Sequence, residues 1–225
     1  MDMALRSPGT ENSINDLARL LTVIYDLIAL SGPLLETSSI ERNALGWISQ
    51  ASVGSVLGHW HTEIGELGRV LILRGFHTTE QLARERHRAA EDRDPFHGNG
   101  LVRAITQDSY RAFPFLPAVE PRAYGGIYEF RTYFLKPGGL PPTLDGWREA
   151  IGPAKEYTDH LVINMIALDG PPRITHIWGF ETIQQRFDLR RRYYAAGLWP
   201  PKGGPEQIDH ATSTIALAGK GSPLC

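Results

Sequence analysis

The chain lacks a cysteine pair: its one cysteine, Cys225, is the last residue. An intrachain disulfide is therefore excluded, and we predict a cytoplasmic location because free thiols are typical of reducing compartments. The chain also lacks a surplus of charge of either sign, since 23 basic and 25 acidic residues give a net charge of −2. Without a basic surplus, nucleic acid is not an expected partner.

Long apolar runs are absent as well. The most apolar stretch, Leu20 to Leu30, is interrupted by Asp26 and is too short to cross a bilayer. The N-terminus has no signal-peptide pattern, so we expect neither a secretory leader nor a membrane span. Because 42% of the residues are hydrophobic, the chain can bury a core of ordinary globular size.

Several catalytic and binding motifs are also missing. The sequence contains no Gly-x-Ser-x-Gly, no Cys-x-x-Cys and no His-Glu-x-x-His, and its glycine-rich stretches lack the Lys-Ser/Thr of a phosphate loop. These absences argue against a serine nucleophile, a structural zinc and a bound nucleotide. We therefore expect no cofactor, although a metal ion or a haem stays open as a less favoured alternative.

An internal repeat gives the domain organisation. Aligning Tyr25 with Tyr128 and Gly75 with Gly179 gives two spacings that agree to within one residue. The chain thus consists of two similar units in tandem. We predict a flexible tail at residues 1–16, a first domain at 17–116, a linker at 117–126, a second domain at 127–217 and a C-terminal tail at 218–225.

Each unit follows the order strand, helix, strand, strand, helix, strand, which is the ferredoxin-like βαββαβ arrangement. In the second unit, Thr143 or Asp145 is the predicted N-cap of the first helix and Thr182 that of the second. In the first unit, residues 17–30 fit helical spacing too, but β-branched and aromatic residues favour a strand from Val23 onward.

Three stretches resemble the NIPSNAP domain signature: "YEFRTYFLKPG" from Tyr128, "HIWGFET" from His176, and "GHWHTEIGELGRVLILRGF" from Gly58. The resemblance covers both units, roughly residues 23–217. It implies an α+β fold of the dimeric α+β barrel class, in which two ferredoxin-like sheets surround a central cavity. A tandem chain would then be a pseudo-dimer within one polypeptide, which can also form a homodimer. For the family as a whole, the resemblance implies no defined reaction.

The first strand of the second unit supplies one candidate site. Alternation places Tyr128, Phe130, Thr132 and Phe134 on one face of the strand and Glu129, Arg131 and Tyr133 on the other. We predict that the first set packs under the helices and the second set faces the barrel cavity. Glu129 and Arg131 can then form a structural ion pair or hold a polar end of a ligand.

The stretch "GHWHTEIG" supplies the other candidate site, because His59, His61 and Glu63 share one strand face. We expect this face to line the cavity too, opposite Ile163, Met165 and Ala167 at the matching positions of the second unit. The two imidazoles can act in acid–base catalysis, form polar lining, or bind a metal with help from His97 or His176.

Two functions from different classes follow from these patterns. In the first, the barrel cavity binds a small, largely apolar or aromatic molecule, and the chain is a cofactor-free enzyme of secondary metabolism with monooxygenase-, isomerase- or cyclase-like chemistry. Its candidate catalytic residues are His59, His61, Glu63, Glu129, Arg131 and Tyr133. In the second, the chain is a non-catalytic binding or protein-interaction module with a filled barrel. The arginine-rich stretches 84–88 and 188–194 are expected to lie on solvated helix faces.

Overall fold

A computed structural model describes residues 23–225 of the chain. The predicted tail at residues 1–16 and the undecided segment 17–22 lie outside the described residues. The structure contains eight strands, five α-helices and three short 3₁₀ segments among these residues.

The strands are β1 (Ile24–Ser31), β2 (Ser55–Ile64), β3 (Arg69–Phe76), β4 (Ala104–Ala112), β5 (Ile127–Leu135), β6 (Leu161–Ala167), β7 (Arg173–Phe180) and β8 (Ile208–Ala218). The helices are α1 (Thr37–Ile48), α2 (Thr79–Glu91), α3 (Leu140–Ile151), α4 (Lys155–Thr158) and α5 (Ile183–Ala195). The 3₁₀ segments are Leu34–Glu36, Pro95–His97 and Pro205–Gln207.

All eight strands form one closed antiparallel barrel in the order β1-β3-β2-β8-β5-β7-β6-β4. The first half (β1 to β4) and the second half (β5 to β8) each have the ferredoxin-like βαββαβ order. They join where β2 pairs with β8 and where β4 pairs with β6. Closure removes every free sheet edge. The predicted fold class, tandem ferredoxin-like units in an α+β barrel, is confirmed.

Element types follow the sequence patterns closely, with one shifted boundary. β1 is a strand, as the β-branched residues predict, and Thr182 caps α5 by accepting a hydrogen bond from the Gln185 amide. Helix α3 instead begins at Leu140, so the predicted caps Thr143 and Asp145 are wrong. Pro141 and Pro142 lie in the first turn, where a missing amide hydrogen costs no helical hydrogen bond.

The barrel interior is filled by large side chains. Trp60 is 0% exposed and packs with ring centroids 5.4 Å from Tyr128 and 5.0 Å from Phe130. Tyr25 and Tyr110 belong to the same buried cluster. The interior is therefore a hydrophobic core, in keeping with the size of an eight-stranded barrel.

The predicted strand faces are consequently inverted. Glu129, Arg131 and Tyr133 lie on the outer face of the barrel, which the helices cover, whereas Tyr128 and Phe130 point inward. The same correction applies to β2, where Trp60 lies inside and the histidines on either side of it lie outside. The physical reason is that a small barrel interior must be filled by large apolar groups, while the outer face can pair charged strand residues with arginines on the helices.

The C-terminal residues also differ from the flexible tail that their composition suggested. Leu224 is buried in the barrel core, its carbonyl accepts a hydrogen bond from the Tyr128 hydroxyl, and the Ser222 hydroxyl accepts one from the His59 amide. The residues that follow β8 therefore pack against the barrel core. Among the helices formed by residues 23–225, none has the length and apolar character that a membrane crossing requires.

Candidate functional site

A cavity lies on the outer face of the second half, between the barrel wall and α3. Its volume is about 200 Å³. Strands β5, β7 and β8 form its floor, α3 forms one wall, and the proline-rich segment before β8 forms the roof. We call it the second-half pocket. Its lining residues are Tyr133, Leu135, Thr143, Trp147, His176, Tyr194, Trp199, Pro200, Pro201, Gly204, Pro205 and Ile208.

Aromatic side chains hold the pocket in shape. Trp147 contacts Trp199 edge to face with centroids 4.9 Å apart, and the His176 ring with centroids 5.2 Å apart. Tyr133 meets His176 edge to face at 4.8 Å. Such edge-to-face pairs are favourable arrangements of aromatic quadrupoles. The walls are thus rigid and largely apolar, a common property of small-molecule sites.

His176 is the most unusual residue of the pocket. It is 1% exposed, and its Nδ1 accepts a hydrogen bond from the Trp178 indole at 2.7 Å. Burial, with further contributions from Arg131 and Arg190, holds the pKa of His176 well below its usual value, so the ring is neutral. An indole nitrogen can only donate, and the single ring proton must therefore lie on Nε2. This Nε2 has no hydrogen-bond partner among residues 23–225.

Two tyrosines flank His176 in the lining. Burial raises the pKa of Tyr133 above its usual value, so its phenol stays protonated. Tyr194, 41% exposed, lies where the pocket meets solvent. Its hydroxyl accepts a hydrogen bond from Arg190 at 2.9 Å, and its own proton remains for donation. The polar residues of the pocket lining therefore carry several hydrogen-bond donors.

A cluster of charged residues lies beside the pocket, around Glu129. Its carboxylate, 0% exposed, accepts hydrogen bonds from Arg186 (Nε–Oε2 2.9 Å) and from the Ser213 hydroxyl at 3.0 Å. Arg131 Nε lies 3.2 Å from the same carboxylate. Burial alone would raise the pKa of Glu129, but the hydrogen bonds from Arg186 and the charge of Arg131 outweigh it and hold that pKa below its usual range. Of the two predicted roles for the Glu129–Arg131 pair, this geometry supports the structural one.

The arginine-rich helix stretches are less solvated than predicted. Arg190 is half-buried and bonds to the hydroxyls of Tyr157 and Tyr194. In the first half, Glu85 on α2 is buried between Arg74 and Arg88. Carboxylates and phenols on the covered side of each helix bind these guanidinium groups, so the stretches contribute to the interior as well as to the surface.

Strand register aligns a polar row in the second half with a mostly apolar row in the first. Arg131, His176 and Asn164 are neighbours across β5, β7 and β6. The corresponding residues across β1, β3 and β2 are Ile28, Ile72 and His59. The predicted match of His59, His61 and Glu63 to Ile163, Met165 and Ala167 is therefore wrong by one residue, because the chain between the paired residues of the hairpin is one residue shorter in the second half.

The histidines of β2 form a separate cluster on the outer face of the first half. His59 Nδ1 lies 2.6 Å from Glu41 Oε1, and His61 Nε2 lies 3.1 Å from Glu41 Oε2 without good hydrogen-bond alignment. Burial alone would raise the pKa of Glu41, but the two imidazoles outweigh it and lower that pKa to about 2. Glu63 is exposed and takes no part. The structure thus brings His59 and His61 together, but not with Glu63.

Sequence reasoning placed Tyr133 in the site and assigned His176 only a helper role. It missed Thr143, Trp147, Tyr194 and Trp199, whose positions depend on how the helices and the roof segment fold over the sheet. The signal that could have found His176 is its register opposite Arg131, on a strand otherwise rich in apolar residues. Within residues 23–225, no group of three or more His, Cys, Asp or Glu side chains is arranged to hold a metal ion.

The fold is shared with solved structures of low sequence identity. A candidate monooxygenase from Lactobacillus acidophilus NCFM is similar over 88% of this chain and 94% of its own, with a TM-score of 0.62 and 11% identity. At that identity the likeness concerns the fold alone.

Sequence relatives give the family. The NIPSNAP family model matches residues 128–223. A nipsnap family protein of unknown function from Agrobacterium tumefaciens is 31% identical, over 46% of this chain and 97% of its own, with a TM-score of 0.41. Protein NipSnap homolog 2 of Danio rerio is 29% identical over 120 residues, which are 50% of this chain and 40% of the relative's length. The matched part is therefore well under two thirds of that relative. Because the 31% identical relative is covered almost end to end, the chain belongs to the NIPSNAP family.

Proposed function

We propose that the protein binds a small, largely apolar or aromatic molecule in the second-half pocket. The observation that supports this most strongly is the neutral His176, whose Nε2–H is buried in the pocket wall without a partner. A buried donor without an acceptor costs about 1–3 kcal/mol, a cost that an acceptor on a ligand would relieve. The predicted ligand class is kept, while its predicted location in the barrel interior is replaced, because aromatic side chains fill that interior.

The size of the pocket restricts the ligand. Typical sites for drug-sized molecules occupy about 300–1,000 Å³, and the second-half pocket has about 200 Å³. One or two fused rings are therefore the expected scale. A haem exceeds even a drug-sized ligand, so the residues around His176 do not fit it, and we derive no chemistry through haem.

Catalysis would need a proton acceptor in addition to the donors of the pocket lining. His176 presents a proton on Nε2, and Tyr133 keeps its phenolic proton because burial raises its pKa. Both groups can donate to or polarise an acceptor, whereas a general base is needed to begin a proton abstraction. The cofactor-free enzyme therefore remains a prediction, and so do the homodimer and the cytoplasmic location.

The five tryptophans of the chain allow a test that reports the location of the ligand. Indole, a neutral aromatic probe, is titrated into protein labelled with ¹⁵N-tryptophan, and the indole N–H resonances are assigned with single Trp→Phe variants. Trp147 and Trp199 line the pocket and Trp178 contacts His176, so we expect these three resonances to shift. Trp47 and Trp60 lie elsewhere and serve as internal controls.

The outcome decides between the pocket and the barrel interior. Saturable shifts at Trp147 and Trp199, lost in His176→Ile or in the pocket-filling Ile208→Phe, would support the proposal. Leu217→Phe on the same strand lies outside the pocket lining and should retain the shifts. Shifts centred on Trp60 would place the ligand inside the barrel, and the absence of saturable shifts would contradict small-molecule binding.

A further inference from the structure

We propose that the ligand of the second-half pocket is an anion, specifically an aromatic or alicyclic carboxylate or phenolate, and that Arg190 supplies the charge that selects it. This inference rests on the proposed function and adds the chemical class of the ligand's polar group. It follows from the donors in the pocket wall and from the charges behind that wall.

The polar groups of the pocket wall favour an acceptor. No Asp or Glu is present among the lining residues. His176 offers Nε2–H, and the hydroxyls of Tyr133 and Tyr194 can each donate a proton. A ligand with one or two acceptor oxygens would satisfy these groups, whereas a cationic ligand would find no carboxylate. Hydrogen bonds to an ionised acceptor are roughly twice as strong as those between neutral groups.

The charges behind the wall are unbalanced. Arg131 and Arg186 share one buried carboxylate, that of Glu129. The guanidinium of Arg190 is bonded to two tyrosine hydroxyls, those of Tyr157 and Tyr194, and to no carboxylate among residues 23–225. Three positive charges thus surround one negative charge in a partly buried region. A second anion beside them would reduce this excess.

Arg190 is suited to act on the pocket through Tyr194. Its Nη2 donates to the Tyr194 hydroxyl at 2.9 Å, and Tyr194 lines the pocket. A hydroxyl that accepts from a guanidinium becomes a stronger donor to its own acceptor, since hydrogen bonds in a chain polarise one another. The charge of Arg190 also acts directly, because screening is weak in a partly buried site. Arg190 is therefore a positioning and specificity residue.

Benzoate and benzamide provide a matched test, because they share ring and shape and differ in charge. Their dissociation constants are measured by isothermal titration at pH 7 and low salt. We expect benzoate to bind at least about tenfold more tightly than benzamide. High salt should weaken the binding of benzoate more than that of benzamide.

Variants on α5 assign the effect to Arg190. Arg190→Met should abolish most of the preference for benzoate, and Arg190→Lys should keep part of it because the charge is retained. Arg192→Met is the matched control, because Arg192 is exposed, pairs with Glu156 and is not among the residues that line the pocket. Folding of each variant is checked by circular dichroism, and the Lys variant tests the proposal even if the Met variant unfolds.

The possible results separate the two proposals. Equal affinity for benzoate and benzamide, together with indole shifts at Trp147 and Trp199, would overturn the anion and leave the pocket as a binding site. Loss of the preference in Arg192→Met as well as in Arg190→Met would overturn the role of Arg190. If neither benzoate, benzamide nor indole binds, both proposals are overturned.

Discussion

The two halves of the barrel use their helix-covered faces differently. In the first half, each of the three arginines Arg74, Arg86 and Arg88 has a carboxylate partner, which is Asp26 or Glu85. Arg86 also reaches Asp169 in the β6–β7 turn of the second half. In the second half, the carboxylate of Glu129 meets two arginines, Arg131 and Arg186. Arg190 bonds only to tyrosine hydroxyls there, and a cavity lies beside it. The arginines of the first half thus all have carboxylate partners, whereas Arg190 of the second half has none among the described residues.

The difference extends to the residues that register makes equivalent. Ile72 in the first half is buried among apolar side chains, whereas His176 in the second has a ring proton without a partner. His59 bonds to Glu41, whereas both polar atoms of the equivalent Asn164 side chain lack a partner among the described residues. The unpaired polar atoms of the second half are the observation from which we propose a ligand site there.

The largest expected effect is the loss of stability when Arg74 is removed from the ion pairs of the first half. Arg74 is almost fully buried, pairs with Glu85 at 3.1 Å and donates to the Val53 carbonyl. Arg74→Met should destabilise the protein by about 3 kcal/mol, since it leaves Glu85 buried with fewer donors. Arg190→Met in the second half should cost less than about 1 kcal/mol, because it removes hydrogen bonds to neutral hydroxyls and relieves a surplus of charge.

Urea unfolding at pH 7 measures both variants against the parent protein. The control is Arg191→Met, which removes an exposed pair with Asp188 and should change stability by only a few tenths of a kcal/mol. Equal losses in Arg74→Met and Arg190→Met would contradict the claim that the two halves differ in how their arginines are paired with carboxylates.

Much of the fold could be predicted from the sequence, because alternation, turn residues and the internal repeat are local signals. β1 and the Thr182 cap were found in this way. The sequence does not predict which strand face points into the barrel, since alternation defines two faces without saying which one is covered by helices. Trp60 and Tyr128 look suited to either side, and only the small size of the closed interior decides the matter.

The candidate site was accordingly predicted in part. Tyr133 was found, and the Glu129–Arg131 pair was recognised, but each was assigned to the barrel cavity. Trp199 and Tyr194 come from segments that fold back over the sheet, a long-range contact that periodicity does not encode. Glu41 was missed for the same reason, since it approaches His59 from a helix.

The second-largest expected effect is on stability at acid pH, and it involves Glu41, which bonds to His59 in the first half. The folded-state pKa of Glu41 is about 2 and lies below its ordinary value of 4.5. A depressed carboxyl pKa stabilises the fold above pH 4.5, and this stabilisation is lost as pH falls from 4.5 toward 2. Because Glu41 is partly solvated, we expect a contribution of about 2 kcal/mol at pH 7.

Glu41→Gln tests this contribution through urea unfolding at several pH values. The variant should be less stable than the parent at pH 7, and the difference should shrink below pH 4.5. Glu63→Gln, at an exposed position of the neighbouring strand, is the control and should show little difference at any pH. A Glu41→Gln deficit that is constant from pH 7 to pH 3 would contradict an ionised, histidine-bonded Glu41.

The smallest effect comes from exchanging the equivalent residues His176 and Ile72. His176→Ile gives the second half the residue of the first and removes the unpartnered Nε2–H, but it also takes the acceptor from the buried Trp178 indole. The two effects oppose each other, so the stability of the ligand-free protein should change by less than about 1 kcal/mol. The same variant should lose the indole-induced shift at Trp199.

The reverse change, Ile72→His, should destabilise the protein, because the first half offers that ring no cavity and no ligand. Thermal unfolding of both variants with and without indole measures the exchange. If His176→Ile instead lowers the stability of the ligand-free protein by more than about 3 kcal/mol while indole still binds, His176 belongs to the structural core and the contrast between the halves does not reflect a binding site.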